Sequence, residues 1–181
     1  IGFIIANNGK DAQYRFSSGE VAAAHWVYAS APPGTLLIEG ANTYPMQFQN
    51  YENFIYVPLT VEIPTARTAL LDDPAHLLAS WLRSHGGPAY AIFTRSQNAY
   101  YEAMQPLQGV TLADIVAALL RAPDLEVAFA AQDAIVFQFA QPPAEGLAPE
   151  VIVRDRYQLD RLVTFSGLGH GASAFSLEDM R

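Results

Sequence analysis

The residues best suited to contact a ligand lie in one irregular stretch, 40–56, which reads GANTYPMQFQNYENFIY. Tyr44, Phe48, Tyr51, Phe54 and Tyr56 are interleaved there with Asn42, Gln47, Asn50 and Asn53. Rings supply flat apolar faces for stacking, and amides both donate and accept, which suits recognition of a hydroxyl-rich ligand such as a sugar. The same aromatics would equally serve to clip the segment onto a core. A second polar group follows at 94–100, TRSQNAY, just past a short apolar run. The expected ligand-facing set is Asn42, Tyr44, Gln47, Tyr51, Ser96, Gln97 and Tyr100.

Catalytic chemistry is poorly supplied. His25, His76, His85 and His170 are far apart and lack H-x-x-x-H or H-E-x-x-H spacing, so no metal site is expected. The absence of cysteine excludes disulfides, thiolate ligands and cysteine nucleophiles together. No G-x-S-x-G elbow occurs, and Ser166-Gly167 has no evident acid and base. Residues 167–171, GLGHG, lack the preceding strand and following apolar helix of a nucleotide loop and read as a tail. Asp72-Asp73 is a paired acid, but Asp73 is placed to cap a helix and Asp72 suits its dipole. Two glycosidase carboxylates can meet from anywhere in a chain, yet nothing favours such a pair. The residues point to no catalytic site and no cofactor.

Composition narrows the partners. A chain of 181 residues is the size of one domain and can bury a real core. Its net charge of -8, with Lys10 the only lysine, opposes binding to a nucleic-acid backbone or to anionic lipid through a basic patch. Apolar residues make up 51% and charged residues 15%, a lean surface that suits a domain partly covered by something else. The start at Ile1 suggests a segment of a longer chain. Ile1-Gly2-Phe3-Ile4-Ile5 is too short to span a bilayer, which takes about 20 apolar residues, and reads as a first strand or as the end of a cut span.

The elements that must position the polar groups follow from local pattern. Ser17 and Glu20 have capping-box spacing ahead of a helix over 21–29, with Val21, Ala24 and Tyr28 on one face. Pro32-Pro33-Gly34 stops it, and 35–39, TLLIE, reads as a buried strand. Pro58 and Pro64 flank LTVEI, so any strand there belongs at a sheet edge. Asp73-Pro74 starts a helix whose apolar face is Leu77, Leu78, Trp81 and Leu82, placing Trp81 in the core, and Gly86-Gly87 ends it. A central strand at 89–93 runs into a helix at 97–104 with Ser96 as its expected cap. Thr111 opens another helix, with Leu112, Ile115, Val116, Leu119 and Leu120 as its stripe. Segments 125–131 and 134–139 pair as a hairpin about Gln132-Asp133. The expected fold is an α/β, three-layer Rossmann-like sandwich with a mixed, mostly parallel sheet and a C-terminal hairpin. Strands 35–39 and 89–93 should be parallel neighbours joined through the 74–85 helix. The unit spans 1–143, and 144–181 is an irregular extension.

Three passages carry a family resemblance. SSGEVAAAHWVYASAPPGTLLIEG resembles the E-x-x-A-x-x-W…P-x-G-(S/T) passage after the last membrane span of bacterial polytopic glycosyltransferases, through Glu20, Ala23, Trp26, Pro33, Gly34 and Thr35. FTRSQNAYYEAM is similar to the strand–(T/S)-x-S-Q-x-x-Y–helix of their extracytoplasmic domains, through Thr94, Ser96, Gln97 and Tyr100. LRAPDLEVAFAAQDAIVFQF is similar to their closing hairpin with N/Q-x-D-A. The resemblance covers most of 17–139 and leaves out the last forty residues. It implies a parent that transfers a sugar from a polyprenyl-phosphate donor at the outer face of the membrane, in the manner of mannosyltransferases. The catalytic acid of that family lies between early membrane spans. This domain would then be non-catalytic and extracytoplasmic, would pack on the membrane-spanning part of its own chain, and would assist acceptor or sugar binding. A binding module of some other membrane protein and a free-standing α/β enzyme stay open beside it.

Overall fold

The computed structural model describes residues 15–41, 45, 51–104 and 106–140. In chain order these form α1 (Ser18–Ser30), β1 (Thr35–Glu39), a 3-10 turn (Tyr51–Asn53), β2 (Phe54–Pro58), α2 (Leu59–Asp72), α3 (Pro74–Ser84), β3 (Ala89–Thr94), α4 (Arg95–Met104), α5 (Leu112–Arg121), β4 (Leu125–Ala131) and β5 (Ala134–Phe139). The extension at 144–181, with the GLGHG segment, and Ile1 to Ile5 lie outside the described residues.

One five-stranded sheet takes the order β2-β1-β3-β5-β4. β1 is wholly buried and pairs in parallel with β3 on one side, Leu36 opposite Ala89, and with β2 on the other, Thr35 opposite Phe54. β5 runs antiparallel to β3 and turns from β4 through Gln132-Asp133, with Asp133 taking a left-handed φ of 68°. Mixed α/β architecture, the β1–β3 neighbours and the terminal hairpin are as the sequence predicts. The crossover into β3 starts from β2, however, and carries α2 as well as α3.

Helices cover both faces. On one, Leu36, Ile38, Ala91, Phe93, Ile135 and Phe137 meet the apolar sides of α2, α3 and α5. On the other, Leu37, Ile92, Ala134 and Val136 meet α1 through Ala23, Ala24 and Val27. A margin of half-buried rings flanks α1, with Trp26 stacked on Phe129 and edge-on to Tyr90, both at 5.5 Å between centroids. The buried face of α1 is thus Gly19, Glu20, Ala23, Ala24 and Val27, not the predicted Val21–Ala24–Tyr28 face. Small side chains win there because they let the helix lie close on the sheet.

Four local expectations are revised. Residues 59–63, LTVEI, are helical, and the edge strand is Phe54–Pro58 just before them. Leu59, Ile63 and Leu70 recur at helical spacing and are buried, while Pro64 stands exposed and removes one intrahelical bond. Helix α4 starts at Arg95, so Ser96 lies inside it and Thr94 takes the capping role. Trp81 is half-buried, whereas Leu78, Ala79 and Leu82 beside it are buried. Leu120 is exposed while Leu112, Ile115, Val116 and Leu119 are buried. Asp73 caps α3 as expected, accepting from the His76 N–H at 2.9 Å, and Gly86 with φ of 69° ends it. Among the described residues no helix is long and apolar enough to cross a membrane.

Candidate functional site

In open α/β sheets the crevice beyond the carboxyl ends of the strands is the usual seat of a ligand. Here the chain's own side chains fill much of that region. Thr94 and Gln97 form a reciprocal cap at the start of α4. The Gln97 N–H donates to Thr94 Oγ1 at 3.3 Å, and the Thr94 N–H donates to Gln97 Oε1 at 2.9 Å. The other end of the Gln97 amide donates from Nε2 to the Ala41 carbonyl at 2.8 Å. One side chain therefore closes the turn at β3 and ties down the exit of β1. Gly40 is small to make room, since a Cβ there would lie 2.8 Å from Leu112 Cδ2 and 3.1 Å from Gln97 Oε1.

A second knot forms beside it. Glu20 has its own capping box with Ser17, whose N–H donates to Glu20 Oε2 at 2.7 Å. The same carboxylate is fully buried and accepts from the Ser96 N–H at 2.7 Å through Oε1. A free N–H in the first turn of a helix is a natural anion seat, and the anion here is the protein's own. Arg95 completes the knot. Its Nη2 donates to Glu20 Oε2 at 3.3 Å and to the Arg15 carbonyl, and its Nε lies 3.9 Å from Asp133 Oδ2. The Arg95 N–H donates to the Asp133 carbonyl at 2.8 Å. Gly19 sits so close to the hairpin turn that an added Cβ would lie 1.6 Å from the Gln132 carbonyl oxygen.

Of the predicted ligand-facing residues, Ser96 and Gln97 are fully buried and adjoin one another at this joint. Ser96 Oγ lies 3.0 Å from Thr94 Oγ1, and both ends of the Gln97 amide are used inside the protein. Tyr100 is half-buried against the larger core cluster. Tyr51 opens the 3-10 turn before β2. Asn42, Tyr44 and Gln47 lie outside the described residues. The Thr94–Gln97 cap was missed, since Ser96 was the expected cap, although the T-x-x-Q spacing carried its signal. The second role of Glu20 was not legible, because its partners Ser96 and Arg95 are some 75 residues away.

Two open grooves lie elsewhere. One, about 440 Å³, runs between α3 and α5 and is lined by Asp73, His76, Arg121 and Asp124 among others. Its acids already have work: Asp73 caps α3, and Asp124 pairs with Arg83 at 2.9 Å. The other, about 370 Å³, is lined by Leu36, Val57, Glu62, Trp81, Ser84 and His85. No group of three or more His, Asp or Glu among the described residues is placed to hold a metal. The chain matches no protein-family profile, no curated protein and no solved structure.

Proposed function

We propose that this is a non-catalytic, extracytoplasmic domain of an integral-membrane glycosyltransferase that uses a polyprenyl-phosphate sugar, and that it assists acceptor or sugar binding. The observation that carries the reading is the convergence of the three passages behind the resemblance. Glu20 comes from the first, Thr94, Ser96 and Gln97 from the second, and Asp133 from the third. All belong to two adjoining hydrogen-bonded knots at one end of the sheet. Residues so placed preserve a joint between elements, which suits a scaffold set beside a catalytic centre located elsewhere in the chain.

The chemistry of the knots supports the non-catalytic part. The carboxylate of Glu20 is held by two N–H groups and a guanidinium, and the Gln97 amide is spent at both ends. In this reading recognition of a sugar falls to the polar-aromatic segment with Asn42, Tyr44, Gln47 and Tyr51. The alternative of an interaction module without transferase activity is favoured by three exposed apolar side chains. Ile55 on edge strand β2 and Val61 and Leu71 on α2 are exposed large apolar residues.

The test is transfer from a polyprenyl-phosphate sugar. Expressed from its complete reading frame, the protein should partition with membranes and transfer sugar, while the 181-residue chain turns over no donor. Turnover by the chain alone, or a complete frame without hydrophobic spans, would overturn the proposal.

A further inference from the structure

We propose that the groove between α2, α3 and the β1–β2 edge is a binding site for an uncharged pyranose, with Trp81 as its stacking wall. The inference stands on the groove alone and does not depend on the glycosyltransferase reading. Trp81 lies on α3 between Leu78 and Leu82, which are buried at 0% and 2% exposure, yet Trp81 itself is only partly buried and lines the groove. Leu36 and Val57 supply apolar sheet surface, and Glu62, Ser84 and His85 supply the polar groups. The groove of about 370 Å³ falls within the size range of small-molecule sites.

Hydrogen-bond accounting identifies the ligand class. The Glu62 carboxylate has no ion-pair or hydrogen-bond partner among the described residues, and neither has the Trp81 indole N–H. Ser84 Oγ donates to the Trp81 carbonyl at 3.0 Å, which leaves its lone pairs to accept. His85 Nε2 lies 2.9 Å from the Gly34 carbonyl. In the neutral ring that donates from Nε2, Nδ1 is an acceptor. The residues lining the groove thus carry three kinds of acceptor and one donor beside an aromatic ring and aliphatic side chains. A pyranose matches it, with hydroxyls that donate outward and a flat C–H face that stacks on a ring.

Charge decides against the other candidates. Among the described residues Glu62 is the one carboxylate in the lining, and the chain carries a net charge of -8, so phosphate or a uronic acid is repelled. A quaternary ammonium is held by a cage of several Trp, Tyr or Phe rings, whereas among the described residues Trp81 is the one such ring in this lining. The groove also approaches the amino ends of β1 and β3, since His85 reaches the Gly34 carbonyl just before β1. The Glu20 and Gln97 knots lie at the opposite ends of these strands and leave the groove untouched.

The experiment is a titration of the isotopically labelled 181-residue chain by NMR, following the indole N–H of Trp81 and the amides of Glu62, Ser84 and His85. The probes are methyl pyranosides of gluco, manno and galacto configuration, with methyl glucuronide, inorganic phosphate and tetramethylammonium as comparators. At least one neutral pyranoside should give saturable shifts at those positions, with Kd on the order of 1 mM. Methyl glucuronide should bind about tenfold more weakly or not at all, because Glu62 opposes its carboxylate. Trp81→Ala should abolish the response, and Glu62→Gln, a near-isosteric change at a partly exposed position, should weaken it severalfold with the spectrum elsewhere unchanged. Trp81→Phe keeps a ring and should bind measurably if the larger truncation unfolds the chain. Saturation that persists in Trp81→Ala, tighter binding of phosphate or tetramethylammonium, or no saturable shift from any pyranoside would each overturn the site. None of these results bears on membrane partition or sugar transfer by the complete protein, so the two proposals fail separately.

Discussion

The hydroxyl of Tyr101 is buried at 2% exposure and has no hydrogen-bond partner among the described residues. Burial, with a smaller contribution from Tyr100, pushes its ionisation above the usual tyrosine range. The unfolded chain begins to ionise this group near about pH 10 while the folded chain still holds it neutral. The stability linked to it is therefore intact below that pH and is lost as pH rises toward the folded value, by about 1.4 kcal/mol per pH unit. Tyr101→Phe should remove this part of the alkaline decline. At neutral pH it should leave the chain equally stable or slightly more so, because an unsatisfied buried hydroxyl disappears. Urea midpoints at neutral pH and about one unit above pH 10 check both halves. A parallel decline in parent and variant would assign the alkaline sensitivity to other groups. At this scale the sequence was informative about type and poor on environment. A helical stripe identified Leu78, Trp81 and Leu82 together, but only the packing of α2 beside α3 determines that Trp81 falls at the margin. Ser96 and Gln97 looked like surface polars past a strand, and burial at a helix start is a tertiary fact.

Between elements, α1 approaches the β4–β5 turn closely at Gly19. Alanine is intrinsically the better helix former by about 1 kcal/mol, so Gly19→Ala sets propensity against space. The Cβ would lie 1.6 Å from the Gln132 carbonyl oxygen, a backbone atom in a two-residue turn that cannot swing aside. Space should win, with a loss of about 3 kcal/mol or more in chemical denaturation. A stabilised variant would show that α1 does not dock on the turn. The α4 cap yields a graded pair. Thr94→Ala should cost about 1 kcal/mol as a lost cap. Gln97→Ala should cost more, about 2–3 kcal/mol, because the Ala41 carbonyl also loses its donor. Equal losses at both sites would mean that the bond to Ala41 contributes nothing. Helices α3 and α5 and the hairpin were legible because their signals are local: Asp73-Pro74, Thr111 with Asp114, and two alternating runs about Gln132-Asp133. Helix α2 was not. The two prolines around LTVEI confined any strand there to an edge, and the helical recurrence of Leu59, Ile63 and Leu70 outweighs the single bond that Pro64 removes.

For the whole molecule, the decisive property is that, among the described residues, the two faces of the sheet are covered by different sets of helices. The pairing of β1 with β3 was readable from two buried runs and a helix between them. The insertion of β2 at the edge and the layer assignment of α1 depend on contacts that no local pattern encodes. Helices α2, α3 and α5 share one face, whereas α1 covers the other with Ala23, Ala24 and Val27 as its buried apolar side chains. Burial of those three amounts to roughly 3–5 kcal/mol at the usual values per methyl group and per valine. Removing the Glu20 carboxylate strands two N–H groups and a guanidinium. Arg95 is about a fifth exposed, which sets the cost near the low end for a broken buried pair, about 3 kcal/mol. The two quantities are of one size, and the ring contacts of Trp26 and Tyr28 add to the first, so the knot is one substantial part of what holds α1 on the sheet. Glu20→Ala should therefore loosen α1 as a unit before the rest of the fold. In native-state hydrogen exchange the α1 amides should lose about a hundredfold in protection, the equivalent of that energy. The amides of β1 and β3 should lose much less, because the larger cluster on the far face is intact. A uniform drop across α1 and both strands would instead make the Glu20 knot part of the global cooperative unit, with no separable layer for it to hold.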